Sequence, residues 1–475
     1  MNDMIRSWKE ESRVRKLQYG CVLLALLVEL IFFSPPALEN GAAWLLVNYF
    51  LVVPCGLFLL LTLLRGINRK GRASLVLGLV MLVWAVVAEG IRLISGMGLI
   101  EPGVIAFYYA LALPMAFALD DSRRQWGITA LAVVFVLEGI RLCLQTAGLA
   151  LGILPEIYAK FICWDGARLL QMFHPTTCAM LLMLGMGCSL ALCLRTKKIW
   201  LRVLLIALAA AQFGVQTLTN GRNAVGFTCL MLGGMLFCLI RGTGWKRAPL
   251  ALAAAVALAG LLFVTSQKLF KVHEQHMIQA AIRSAQTAEA AWDEQEETQE
   301  QQTDAWEEEQ LQPPPIGEDG KLATENVQKS LRQDLFSFNG RTDIWKEAVR
   351  GVGRHPSILL YGTDSVARVL AEDGKTSAEH THNSYLETLC TLGLPGLLLG
   401  LAITLLALRA GVILLWKNED LWQSSVAIMT LCVLGCSLLE PYLFAAKSYH
   451  HYLCVFFLTG VGYLHQWCAE MKSCA

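Results

Sequence analysis

The amino-acid sequence predicts an all-α polytopic membrane protein with about 12 transmembrane helices and one large loop outside the cytoplasm, between spans nine and ten. Of its 475 residues, 55% are hydrophobic and only 16% are charged, whereas an ordinary soluble domain is about 25% charged. Bilayer-length apolar stretches recur along the chain, and basic residues collect in alternate loops. These features exclude a soluble globular enzyme, a disordered chain and a nucleic-acid binder driven by bulk charge.

The transmembrane spans are predicted from length and apolar content. About 20 mostly apolar residues are needed to cross the hydrocarbon core as a helix, and helices satisfy their own backbone groups in lipid. The stretches that meet this requirement are 18–34, 43–64, 73–95, 99–119, 126–151, 168–194, 199–218, 224–240, 248–266, 392–415, 422–440 and 452–468.

Successive loops are alternately rich and poor in lysine and arginine, and this alternation predicts the orientation of the chain in the membrane. The N-terminal segment and every second loop after it are basic, and the short loops between them carry few basic residues. By the positive-inside rule both termini face the cytoplasm, which requires an even number of spans. The exceptions in the outer loops are Lys160, Arg222 and Lys447.

Three regions follow from this topology. Residues 1–266 form a membrane domain with nine spans, 267–391 a loop domain outside the cytoplasm, and 392–475 a membrane domain with three spans. The loop holds 12 basic and 22 acidic residues, a net charge of −10 against +11 for the rest, so the total of +1 is a cancellation. Its acidic, Gln-rich run at 289–310, followed by prolines, predicts a mobile insert over 284–325.

A weak repeat links spans three and five. Ala88–Leu93 reads AEGIRL and Leu137–Leu142 reads LEGIRL. Each motif places a Glu and an Arg three residues apart, on one helix face near the outer end of its span. The pairs either neutralise themselves at a helix end or border a polar cavity. The repeat is also compatible with the duplication seen in transporters.

The first candidate site residue is Arg222, which follows the polar turn Thr219-Asn220-Gly221 between spans seven and eight. An arginine in a short outer loop departs from the positive-inside bias. It either anchors the chain to lipid headgroups or holds an anionic phosphate. The guanidinium group suits the second role because its fork donates to two phosphate oxygens and stays charged.

The second candidate is Arg341, within the large outer loop. Thr342 is predicted to cap a helix that Gly351, Gly353 and Pro356 end. Arg341 would then stand at the positive end of that helix, a favourable place for an anion. The alternative is an ordinary surface arginine beside an amphipathic helix.

The third candidate is His382, just before span ten. Asn383 can cap a short helix that re-enters the membrane, and His382 would lie at its mouth. Histidine can take a proton near neutral pH, as a general base must. His380 and His382 alone are a weak metal signal, because further ligands are missing. The turn Gly393–Gly396 is predicted to break the helix and allow close packing.

Less specific candidates border the same outer face. Arg168 and His174 could line the cavity, with Pro175 kinking span six. Glu440 at the end of span eleven and residues of the last outer loop could border the cavity or mark the membrane interface. The residues of that loop are Lys447, His450 and His451.

Taken in order, the three motifs resemble the O-antigen ligase family, which also contains O-antigen and other polysaccharide polymerases. The acidic insert is not a motif of that family. The resemblance is best over about 200–400 and rests on Thr219–Arg222, Gly340–Trp345, His382–Glu387, Gly393 and Gly396.

This resemblance implies a GT-C-like glycosyltransferase of the bacterial cytoplasmic (inner) membrane. Such an enzyme moves a glycan from a polyprenyl-diphosphate carrier, such as undecaprenyl diphosphate, to a lipid- or polysaccharide-linked acceptor on the outer face. It would contact membrane lipid and no nucleic acid, and would need neither a cofactor nor a metal. By analogy Arg222 and Arg341 bind the diphosphate and His382 is the general base. The supporting candidates are Asn383, His174, Arg168 and His450.

Other functions remain open at this stage. A polymerase of the same family would use the same arginines and base and differ only in its acceptor. A 12-span transporter or lipid flippase would place ionisable groups near the bilayer midplane, along a path through both halves. A membrane scaffold that binds partners through the acidic loop would leave the Arg and His motifs unexplained.

Overall fold

A computed structural model describes residues 126–155, 158, 162–165, 168–171, 175–300, 338–363, 365–372, 378, 380–441, 443 and 451–473, with isolated helical positions between 14 and 94. In these ranges the chain is mostly helical, as the composition predicts. The fold is not purely α, because one antiparallel hairpin pairs Ile162 with Gln171 and Asp165 with Arg168. The first four predicted spans fall where only isolated residues are described.

From residue 126 onward the described chain has eleven α-helices, two strands and one 3-10 helix (Trp245–Arg247), and we number the α-helices and strands in order. They are α1 (Trp126–Ala150), β1 (Ile162–Asp165), β2 (Arg168–Gln171), α2 (Pro175–Arg195), α3 (Ile199–Leu218), α4 (Arg222–Arg241), α5 (Ala248–Glu300), α6 (Phe338–Arg354), α7 (Pro356–Tyr361), α8 (Val366–Ala371), α9 (Ser384–Lys417), α10 (Leu421–Ser437) and α11 (His451–Ser473).

Six of the described helices are long and apolar enough to cross a membrane, and α10 and α11 contain shorter apolar stretches, Leu421–Ser437 and Leu453–Ala469. The six candidate spans correspond to α1, α2, α3, α4, the first part of α5, and α9. All eight helices coincide with spans predicted after residue 125, and α3 has the predicted bounds. Apolar length alone was therefore sufficient to locate these helices.

The start of span six was predicted wrongly. Residues 168–171 form β2, and the helix begins at Pro175 instead of running through it. Proline at the first helical position is favourable, since its missing N–H would have no intrahelical partner there. Pro175 therefore starts α2 and does not kink it.

The helix α5 is 53 residues long. At about 1.5 Å per residue it extends roughly 80 Å, more than twice the thickness of the hydrocarbon core. It continues without a break from the predicted span at 248–266 into the loop domain. The segment 284–300 of the predicted insert is helical, and 301–325 lies outside the described residues.

The core of the bundle forms around α2, which packs against α1, α3, α4 and α10. Gly187 allows this close approach, because a Cβ there would lie 2.6 Å from the sulfur of Met429 and 2.8 Å from that of Met231. Small residues at helix contacts are typical of membrane proteins, where packing rather than the hydrophobic effect joins helices.

Helices α4 and α10 run antiparallel in a regular register. Gly435 packs against the ring of Phe227, and Gly234 lies 3.4 Å, measured from an added Cβ, from the side chain of Ile428. Moving seven residues forward along α4, from Phe227 to Gly234, thus corresponds to moving seven residues back along α10, from Gly435 to Ile428. Because the two helices are antiparallel, Arg222 at the start of α4 lies at the same end of the pair as the C-terminus of α10.

The opposite end of this pair is fixed by polar contacts. The Asn418 amide donates to Cys238 O and Gly242 O, both at 2.7 Å. The buried Arg241 guanidinium donates to the last carbonyls of α9, Leu415 O at 2.8 Å and Trp416 O at 3.0 Å. These bonds satisfy carbonyls that a helix end leaves without intrahelical partners. They hold α4, α9 and α10 in one register.

Candidate functional site

Asn383 starts α9 as a helix N-cap, as predicted. Its side-chain oxygen accepts from Tyr385 N at 2.9 Å and Leu386 N at 3.1 Å. Its Nδ2 donates to Leu438 O at 2.9 Å. The amide is therefore used to begin α9 and to hold the turn after α10.

Gly393 breaks α9 nine residues after the helix's first residue, Ser384. This break was also predicted, and Gly393 has φ 69° and ψ −171°. A Cβ at this position would lie 2.5 Å from Leu360 O in α7. The indole N–H of Trp84 donates to Leu392 O at 2.8 Å, which satisfies a carbonyl at the break. Residues 384–392 therefore form a separate half-helix whose first turn carries the Asn383 cap.

The residue before that cap is His382, held in an uncommon backbone conformation with φ 51°. Its neighbour Thr381 is buried and fixed on both sides. Glu387 Oε2 accepts from Thr381 N at 2.8 Å and from Thr381 Oγ1 at 2.9 Å, and Trp345 Nε1 donates to Thr381 O at 2.9 Å. These bonds fix the backbone of the residue directly before His382.

Arg341 lies in the first turn of α6. The helix begins at Phe338, so Thr342 is an interior residue and not the predicted cap. A small apolar cluster holds α6 and α8 on the half-helix of α9. Its buried members are Ala348, Val352, Val366, Leu370 and Cys390.

The carboxylate of Glu440 joins Arg341 to His382. Its Oε1 accepts from Arg341 Nη2 at 2.7 Å, and its Oε2 lies 3.0 Å from His382 Nδ1. Glu440 is only 4% exposed, and a buried carboxylate needs such partners because losing water is costly. Residues 58 and 99 positions away in sequence thus meet on one side chain.

The Glu440 contact selects the tautomer of a neutral His382 ring. An ionised carboxylate is acceptor-only, so Nδ1 carries a hydrogen, and in the neutral ring the lone pair is then on Nε2. A neutral imidazole with Nε2 unprotonated is the form that can accept a proton from a hydroxyl group.

His380 stacks beside His382, with ring centroids 4.2 Å apart. Together with Glu440 the two histidines place three potential metal-ligand atoms within 4.8 Å of one another. Glu440 is thus a third potential ligand beside the two histidines, which the sequence motif alone did not provide. The carboxylate already contacts Arg341, whose fixed positive charge opposes a cation at this point.

Arg222 is the first residue of α4. The turn before it is tight: Thr219 Oγ1 donates to Gln216 O at 2.7 Å and accepts from Gly221 N at 3.2 Å. An added Cβ on Gly221 would lie 2.8 Å from the Cβ of Ala179. Arg222 is partly buried, stands at a positive helix end, and lies at the same end of the α4–α10 pair as the C-terminus of α10.

A comparison with protein families bears directly on these residues. The O-antigen ligase family model matches residues 213–401, a range that contains Arg222, Arg341 and His382. Residues 213–401 are therefore similar to the O-antigen ligase family. No curated protein matches the chain significantly.

One of the remaining predicted candidates, Arg168, lies in the β-hairpin. Arg168 begins β2 and is paired in register with Asp165. The hairpin lies against α5, where Trp164 contacts His273 with ring centroids 4.8 Å apart. Other candidates lie outside the described residues, namely His174, Lys447 and His450.

One residue that contacts both Arg341 and His382, Glu440, lies outside the range matched by the family model. Glu440 was expected only to border the cavity or mark the membrane interface, and its contacts with Arg341 and His382 were not predicted. The roles of Trp345 and Glu387 in holding Thr381 were missed too. No local pattern could reveal these pairings, because each depends on helices that meet only in the folded chain.

Proposed function

We propose that this protein is a membrane glycosyltransferase of the O-antigen ligase type. It would move a glycan from a polyprenyl-diphosphate carrier to an acceptor hydroxyl on the outer face of the cytoplasmic membrane. The observation that carries the proposal is the contact network of Arg341, Glu440 and His382, two of whose members lie in the range matched by the O-antigen ligase family model.

The chemical step follows from the chemistry of the two substrates. The bond between the sugar's anomeric carbon and the diphosphate oxygen breaks, and its electron pair leaves with the diphosphate. The acceptor oxygen forms the new bond to that carbon, and its proton passes to His382 Nε2. General-base assistance of this kind contributes about 10²–10⁴ in rate.

The arginines act on the leaving group. Negative charge grows on the diphosphate as the bond breaks, and fixed guanidinium groups stabilise that charge most in the transition state. Arg341 has five N–H donors, so its Nη2 contact with Glu440 leaves it the capacity to engage a phosphate as well. Arg222 is the second proposed ligand, and its place at the positive, N-terminal end of α4 supports this.

We place these groups at the outer membrane face, in a chain with about 12 spans and cytoplasmic termini. The same proposal divides the chain into a nine-span region at 1–266, an outer loop domain at 267–391 and a three-span region at 392–475. The continuous helix α5, which leaves the apolar zone and extends into the loop domain, supports this arrangement. Donor lipid would then enter from the bilayer and the acceptor from water.

The central test is glycan transfer in reconstituted vesicles with a polyprenyl-diphosphate-linked donor. We expect His382→Ala to lower kcat about 10²- to 10⁴-fold and Arg222→Ala or Arg341→Ala to lower kcat/KM about 10²- to 10³-fold. Exposed residues of the same types, His355 and Arg354, supply matched Ala controls that should retain normal transfer.

Normal transfer by the three site variants at equal protein levels would contradict the proposed site. We also expect the rate to persist in EDTA, and its loss there would show that a metal is required. Offering lipid A core and lipid-linked glycan as separate acceptors distinguishes a ligase from a polymerase.

A further inference from the structure

We propose that Glu440 is a positioning residue that sets the tautomer and orientation of the His382 base; this inference rests on the proposed transferase function. The carboxylate contacts His382 with one oxygen and Arg341 with the other. It lies beyond the range matched by the family model, so the contact network, and no motif, identifies it.

The position of Glu440 is fixed by its backbone as well as its side chain. Ser384 Oγ donates to Glu440 O at 2.9 Å and accepts from Leu443 N at 3.0 Å. The Asn383 amide holds Leu438 O in the same turn. The first residues of α9 therefore hold the turn that carries Glu440 next to His382, and a catalytic group needs such support to stay in productive geometry.

Glu440 has a defined part in the proton transfer. Before the reaction it accepts from Nδ1–H, so in the neutral ring the lone pair is on Nε2 and faces away from the carboxylate. When the acceptor proton arrives at Nε2, the ring becomes a cation, and the adjacent carboxylate stabilises it. The proton stays on His382, and Glu440 remains ionised throughout.

Glu440 has the opposite influence on donor binding. A buried negative charge beside Arg341 offsets part of the positive charge that a diphosphate would meet. Removing this charge should therefore slow the chemical step without weakening binding of the donor. Loss of a residue that merely supported the fold would not lower kcat while leaving the donor KM equal or lower.

The experiment compares Glu440→Gln with the full-length unmodified protein in the vesicle assay. We expect kcat to fall at least tenfold and the donor KM to stay equal or decrease. The matched control is Glu372→Gln, because Glu372 also contacts a histidine, His355 at 3.0 Å, and an arginine, Arg354 at 3.7 Å, but on the exposed surface. This control should retain both constants.

Thermal unfolding in detergent establishes that the Gln variant is folded. If it does not accumulate as folded protein, Glu440→Asp provides the test. The aspartate keeps the charge but is one methylene shorter and should lower kcat several-fold. A normal kcat in the folded Gln variant, or in the Asp variant where that one is used, would overturn the inference.

A double-variant cycle tests whether Glu440 acts through His382. In the His382→Ala background, Glu440→Gln should change the residual kcat less than about twofold, because its target is gone. A full additional loss would overturn the inference even if the single variant is slow. Failure of the proposed function looks different: the unmodified protein would then transfer no glycan.

Discussion

Replacing Gly393 with alanine tests whether the break in α9 positions the site. Its φ of 69° and ψ of −171° belong to a region open essentially to glycine alone, and forcing another residue there costs about 1–3 kcal/mol. The added Cβ would also lie 2.5 Å from Leu360 O and 2.8 Å from Leu359 O. These are backbone atoms of a packed helix, so overlap adds a further 1–3 kcal/mol or so.

The expected loss of about 2–6 kcal/mol should lower the thermal unfolding midpoint of the detergent-solubilised protein. Relief of the overlap must move α7 or straighten α9, and either change displaces the half-helix that begins at Asn383. Glycan transfer should therefore fall as well.

Gly260→Ala is the control for this prediction. Gly260 lies inside α5 with no atom within 4 Å of an added Cβ, so the change should be neutral or slightly stabilising. The reasoning about the break would be refuted if Gly393→Ala unfolded at the same temperature as Gly260→Ala and transferred glycan normally.

Substitutions at two further positions distinguish a residue that supports the site from a residue that supports the helix bundle. Glu387→Ala leaves the buried Thr381 N and Oγ1 without their carboxylate acceptor, so the free energy of unfolding should fall by about 1–3 kcal/mol and transfer should slow. Glu387→Gln, whose amide oxygen can still accept, should retain most of both. Asn418→Ala removes the hydrogen bonds to Cys238 O and Gly242 O at the C-terminal end of α4. The free energy of unfolding should fall by about 1–3 kcal/mol. Transfer by the folded protein should stay near normal, because this contact lies at the opposite end of α4 from Arg222. Unfolding midpoints and transfer rates measured side by side check both, and an unchanged midpoint in either Ala variant would contradict the assigned contacts.

The polar network explains how charged groups can be buried at this point. One carboxylate, one guanidinium and one imidazole share contacts, so Glu440 loses its water but gains two partners. Such an arrangement is costly to break, because removing one member leaves another buried and unpaired. The same network prepares His382 to accept a proton.

Several local features could be predicted because neighbouring residues decide them. The Asn383 cap, the break at Gly393 and the ends of α3 depend on local hydrogen bonds, backbone freedom and apolar length. The start of α2 and the start of α6 were predicted wrongly. Both errors came from placing the helix start by a single local signal, the apolar run for α2 and Thr342 for α6. The two helices begin instead at Pro175 and Phe338.

By itself, the sequence determined that the protein is a mostly helical membrane protein, that a strongly acidic segment lies between basic membrane regions, and that it resembles the O-antigen ligase family. These properties follow from apolar length, charge and short motifs, which adjacent residues specify. Only the tertiary structure placed Glu440 between Arg341 and His382 and put Arg222 at the same end of the α4–α10 pair as the C-terminus of α10. Antiparallel packing of α4 on α10 and the clamp of α9 on the following turn decide those positions, because residues far apart in sequence become neighbours only when the helices pack.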